Sequence, residues 1–250
     1  ADVIVPLYTT LDALNALEYF GRTARYNEEL QLAPGIRATF FNAGHILGSA
    51  CLDLQLTEGS EQRRIVFSGD LGLSDRPILR DPEVPPPADI VVMETTYGDR
   101  QHKQLEPSVE ELYVAINETV ERGGNVIIPT FALERAQELL YYLHAGKTQG
   151  LLPGFLQVFL DSPMAISATE IFRRHRECYD EQTAELFASG HDPFKCPGLH
   201  FTRETAESMA INQVSSGAVI MAGSGMCTGG RVRHHLKQHL GREHSSVVFV

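Results

Sequence analysis

Apolar positions follow two different rhythms along this chain. Over the first hundred residues they gather in short runs, at 36–41 (IRATFF), 51–56 (CLDLQL), 64–67 (RIVF) and 89–93 (DIVVM), separated by Gly, Ser and Pro. Runs of that length, rich in β-branched and aromatic residues and bounded by turn formers, predict β-strands. The one helical candidate in this stretch lies over 11–19. From about residue 107 the pattern changes to helix alternating with short apolar strands. Ser108 and Glu111 have the spacing of a capping box, which predicts a helix that opens there and closes at Gly123 and Gly124. A buried strand follows over 125–128. Further helices are predicted near 133–144, 164–176, 181–188, 204–213 and 230–240, with strands at 156–160, 218–221 and 246–250. Helices alternating with strands imply parallel strands joined by crossover helices. The Pro-rich stretch 82–87 marks the approach to a boundary, giving one unit over 1–106, a second over 107–235 and a return into the first over 236–250.

Composition narrows the class. A chain of 250 residues can bury roughly 70–75% of its extended surface, and 43% hydrophobic with 21% charged residues is ordinary for a globular protein, which excludes a disordered tail. The longest stretch without Asp, Glu, Lys or Arg, 208–230, carries Asn212, Gln213 and several serines and glycines, too polar for the ~20 apolar residues of a membrane span. No membrane partner is expected. Cys51, Cys178, Cys196 and Cys227 never form C-x-x-C, so reduced thiols in a cytoplasmic setting are the expectation. The formal charge of −11 argues against nucleic acid as a partner, but only in bulk. Residues 229–244 carry Arg231, Arg233, Lys237 and Arg242 against Glu243 alone, and Arg173, Arg174 and Arg176 form a second basic group.

Chemistry concentrates in four segments. His45 sits in a small-residue turn directly after a predicted strand, and Asp70 follows another strand in the same way. A His and an Asp at neighbouring strand ends can share a metal ion; each alone equally suits a structural His and a turn-capping Asp. Glu94 is a second strand-end acid. The Gly-rich loop 223–230, with Ser224 and Gly225, opens a helix bearing His234 and His235, an arrangement whose free N–H groups suit phosphate. Asp161, before Ser162 and Pro163, reads equally as an ordinary helix start.

Together these segments resemble the β-CASP branch of the metallo-β-lactamase superfamily, RNA-processing nucleases that include RNase J and the mRNA 3′-end cleavage subunit, with the bacterial members the most similar. Residues 129–138 (PTFALERAQE) and 161–165 (DSPMA) look like its internal signatures. The resemblance implies an α/β fold, a partial metallo-β-lactamase αββα sandwich plus a β-CASP domain with a parallel sheet flanked by helices. It implies a zinc-dependent ribonuclease whose intact site holds two zinc ions, with Asp70 bridging and His45 on one of them, and a metal-bound hydroxide attacking the phosphodiester. His235 would be the general acid, with Glu94 hydrogen-bonded to its other ring nitrogen and His234 the competing choice. Arg135, Ser224 and Gly225 would contact the RNA backbone.

The family's H-x-H-x-D-H motif is expected upstream of residue 1 and its last metal-binding His beyond residue 250. The chain alone is therefore expected to be inactive and to bind zinc poorly, since His45 and Asp70 cannot close a four-coordinate site. An exposed apolar edge is expected too, with a homodimer as one way of covering it. Two other readings stand beside the nuclease: a thioester or lactam hydrolase, and a non-catalytic RNA-binding scaffold.

Overall fold

The structure, a computed structural model, describes residues 6–101 and 103–250; residues 1–5 of the expected first unit lie outside them. The first sheet is built from β1 (Glu29–Ala33), β2 (Ile36–Asn42), β3 (Ala50–Glu58), β4 (Glu61–Phe67) and β5 (Ile90–Val92), paired in that order. Strands β1 to β4 form an antiparallel meander, and β5 runs parallel to β4. Since β2 and β4 both oppose β3, the C-terminal ends of β2, β4 and β5 emerge at one edge. That edge carries the candidate chemistry. A short helix, α1 (Thr10–Ala16), precedes the sheet, held by a reciprocal Thr9–Asp12 capping box and exposed throughout.

The second sheet contains β6 (Val126–Pro129), β7 (Gln157–Asp161), β8 (Leu199–Phe201), β9 (Ala218–Ala222) and β10 (Ser246–Val247), in the order β10-β6-β9-β7-β8. Every pairing is parallel, as the alternating pattern predicts. It is packed with α2 (Leu105–Glu121), α3 (Arg135–Thr148), α4 (Pro163–Arg174), α5 (Glu181–Ala188), α6 (Thr205–Ala210) and α7 (Val232–His239). Strands β6 and β9 are buried at every position, which explains their continuously apolar sequence. The main core includes Ile116, Ile128, Leu140, Leu143, Leu160 and Phe172. The first half joins it through Ile78 and Leu79, with Leu79 bridged to Tyr179 and the Arg80 amide donating to Cys178 O at 3.2 Å.

Three boundaries differ from expectation. Helix α2 begins at Leu105, so Ser108 lies inside it and donates to Gln104 O rather than capping; Pro107 is tolerated because first-turn amides lack intrahelical partners anyway. Residues 236–250 do not return to the first sheet. They finish α7, and the amides of Ser246 and Val248 donate to Asn125 O and Ile127 O at 3.0 Å, adding β10 to the free edge of β6. Strands β1 and β8 are additions the apolar pattern did not mark. The expected apolar exposure is present in β5, where Ile90, Val91 and Val92 are all about half exposed or more.

Candidate functional site

Strand β2 ends in a turn fixed by its own polar side chains. Asn42 Oδ1 accepts from the Gly44 amide at 3.0 Å, and Ser49 Oγ accepts from the amides of His45 and Ile46 at 3.0 and 3.2 Å. These bonds hold the backbone and leave the His45 side chain exposed. Strand β4 ends in Ser68, Gly69 and Asp70, where Ser68 Oγ accepts from the Glu94 amide at 3.0 Å. The two turns are pressed together. The Gly72 amide donates to Ala43 O at 2.8 Å, and a Cβ on Gly72 would sit 1.7 Å from Gly44 O, so only glycine permits this approach.

Glu94 completes this edge. Its Oε1 accepts from the Leu71 amide at 2.9 Å and its Oε2 from the Thr96 amide at 3.2 Å. The Leu71 amide first, then Thr96, hold its carboxyl below the usual range, with the nearby His45 adding to the effect. Three strand ends thus carry His45, Asp70 and Glu94 to the same edge of the first sheet. Glu94 therefore does not pair with His235 as expected; it braces the turn that bears Asp70. For zinc, the donors at this edge are incomplete. Among the described residues no group of three or more His, Cys, Asp or Glu converges to hold a metal ion, so His45 and Asp70 fit only as two members of a larger ligand set.

The partner of His235 is Asp161, at the C-terminal end of β7. His235 is 1% exposed and its Nε2 lies 2.6 Å from Asp161 Oδ2. Asp161 is fully buried and also accepts from Thr202 Oγ1 and Ser208 Oγ, each at 2.6 Å, and from Arg231 Nη1 at 2.8 Å. Burial by itself would raise its pKa, but His235, Ser208, Thr202 and Arg231 outweigh that and hold it at about 2. His234 points the other way and is exposed. A signal for this existed in the sequence: Val232, His235, Leu236 and His239 repeat at helical spacing, a stripe that turns His235 inward.

A second buried acid, absent from the sequence reading, joins the two halves. Glu134 has φ 65° and ψ −65°, and the Arg135 amide donates to Leu133 O at 3.0 Å, a γ-turn of the rare, strained kind. The turn delivers Glu134 Oε2 to the Leu47 amide, at 3.1 Å, two residues from His45. Burial, then Glu138, push the Glu134 carboxyl up to about 8, against the Leu47 amide and Arg135. Arg135, expected on RNA, has its guanidinium 2.6 Å from Glu138, while remaining partly exposed. Ser224 and Gly225 lie partly exposed beyond β9, with Gly225 packed against Phe131.

Residues 136–250 match the family model described as Beta-Casp domain. The likeness to that domain therefore covers the C-terminal part of the chain, a little under half of it. The β-CASP match contains Asp161, Ser224, Gly225, His234 and His235, and begins just after Glu134 and Arg135; His45, Asp70 and Glu94 precede it. The chain is 39% identical over 245 residues to ribonuclease TTHA0252 of Thermus thermophilus, covering 98% of this chain and 55% of that protein. It is 34% identical over 230 residues to the transcription termination factor FttA of Methanosarcina mazei, covering 90% of this chain and 35% of the relative. To FttA of Pyrococcus abyssi it is 32% identical over 249 residues, with coverage of 98% and 38%. The chain therefore spans about half the length of the bacterial relative and less of the archaeal ones.

Proposed function

We propose that the chain is part of a zinc-dependent ribonuclease that hydrolyses RNA phosphodiester bonds in a cytoplasmic setting. The observation that carries this reading is the placement of His45, Asp70 and Glu94 at one sheet edge by three strand ends, two of them locked by Gly72 against Gly44. In this reading His45 and Asp70 are two of the zinc ligands, and residues outside the described set complete the site. Glu94 fixes the Asp70 turn by taking the Leu71 amide. The name of the bacterial relative, a ribonuclease, supports RNA as the substrate over a thioester or lactam.

The proton for the leaving oxygen comes from His234, as the imidazolium. A buried imidazole whose Nε2 is held by Asp161 would have to leave the core to reach a phosphate, whereas His234 is exposed one position away. His235, with Asp161 and Arg231, sets the position of the first turn of α7. The test uses the full-length protein and an end-labelled single-stranded RNA. His45→Ala and Asp70→Ala should abolish cleavage, and His234→Ala should lower kcat by about 10²–10⁴-fold with an unchanged melting temperature. His235→Ala should lower the melting temperature. Full activity in His234→Ala would sink the proton assignment, and turnover of a thioester but not of RNA would sink the nuclease reading.

A further inference from the structure

The C-terminal ends of β6, β7 and β9 meet around Gly223. A Cβ there would lie 3.4 Å from Ser162 Oγ and 4.0 Å from Thr130 O. Crevices outside the C-terminal ends of parallel strands are where open α/β sheets bind ligands. Large apolar side chains are exposed at this end of the sheet. Phe131, directly after β6, is 56% exposed; Met164, after β7, is 74% exposed; Met226, after β9, is 71% exposed.

The Phe131 ring is not simply loose on the surface. A Cβ on Gly225 would lie 2.8–3.2 Å from three of its ring carbons, so the ring rests directly on the Gly225 backbone. Backing of that kind fixes the ring in orientation while leaving more than half of the residue to solvent. Behind it, the loop 223–230 leads into a basic stretch in which Arg233 and His234 are exposed. Asp161, the acid nearest this start of α7, is spent on Arg231, His235, Thr202 and Ser208. An apolar aromatic backed by a loop that runs into a basic helix suits a ligand with a flat face and a phosphate.

We propose that Phe131 is a stacking platform for one unpaired base of single-stranded RNA, with the neighbouring phosphate directed toward Arg233. The proposal rests on the RNA reading above and adds the side chain that grips a base without reading its identity, since every base offers a π face. It accounts for glycine at 225, where any side chain would displace the ring.

The test measures dissociation constants of the full-length protein for a single-stranded RNA octamer and for a series carrying one abasic position each. Phe131→Ala should weaken binding of the intact octamer about tenfold or more, with Phe131→Tyr restoring it. One abasic octamer should bind the wild type as weakly as it binds Phe131→Ala, because the base that stacks is already missing. The salt dependence should be unchanged in Phe131→Ala, whereas Arg233→Ala should reduce the salt slope by about one. Equal weakening on every abasic octamer, no weakening at all, or an altered salt slope in Phe131→Ala would overturn the platform while leaving RNA binding intact. Dissociation of a dimer by Phe131→Ala in sedimentation velocity would assign the patch to a second copy of the chain instead. A folded wild type that binds none of the octamers would overturn the RNA reading itself.

Discussion

Replacing Glu134 by glutamine should stabilise the protein, and by an amount that grows with pH. The wild-type carboxyl is buried beside Glu138, and its pKa is pushed from 4.5 up to about 8. A carboxyl raised in this way binds its proton more tightly folded than unfolded, so its contribution is fully present below pH 4.5 and is lost as pH climbs through 8. Over the 2.5 units from 4.5 to pH 7, at 1.36 kcal/mol each, the loss is about 3 kcal/mol. The substituted amide would not titrate, and its oxygen can still accept from the Leu47 amide. Glu134→Gln should therefore match the wild type near pH 4 and exceed it by about 3 kcal/mol at pH 7, which for a chain of this size is roughly 6–12 °C in Tm. Thermal scans at pH 5, 6, 7 and 8 measure it. A difference in Tm that stays flat across those four values would refute the buried, proton-bearing Glu134.

Asp161→Ala removes the shared acceptor of Arg231, His235, Thr202 and Ser208, and should cost about 3–5 kcal/mol, read from the urea midpoint; a loss below about 1 kcal/mol would mean water replaces the carboxylate. Because those donors hold Asp161 at about 2 against an ordinary 3.8, its contribution of roughly 2.5 kcal/mol is present above pH 3.8 and lost as pH falls through 2. Gly72→Ala must push the His45 and Asp70 turns apart, since its Cβ would meet Gly44 O at 1.7 Å. We expect about 1–3 kcal/mol of destabilisation together with loss of RNA cleavage by the full-length protein, and a variant that melts and cleaves like the wild type would show that the contact is dispensable.

The particular residues show where sequence suffices. The apolar runs of β6 and β9 announce buried parallel strands because a strand covered on both faces has no polar side to display. Strands β1 and β8 carry no strand pattern of their own, because ELQLA and LHF are short and mixed and become strands only by pairing with β2 and β7. His45, Asp70 and Glu94 were legible as strand-end residues. Their convergence also depends on β2 and β4 running the same way, which is a property of the meander and not of any one segment.

What the sequence determined by itself is local: the periodicities, the turns, the acids and histidines at strand ends, and the helical stripe that contains His235. Tertiary structure decided the partners. Glu94 went to the Leu71 amide and Asp161 to His235, across 74 residues of chain, while Glu134 reached the Leu47 amide across 87. The physical reason is that periodicity fixes which side of an element is apolar, but a buried polar group is satisfied by whichever complementary group the packed layers bring within about 3 Å. That distance is set by strand order and helix packing, which no local stretch of sequence contains.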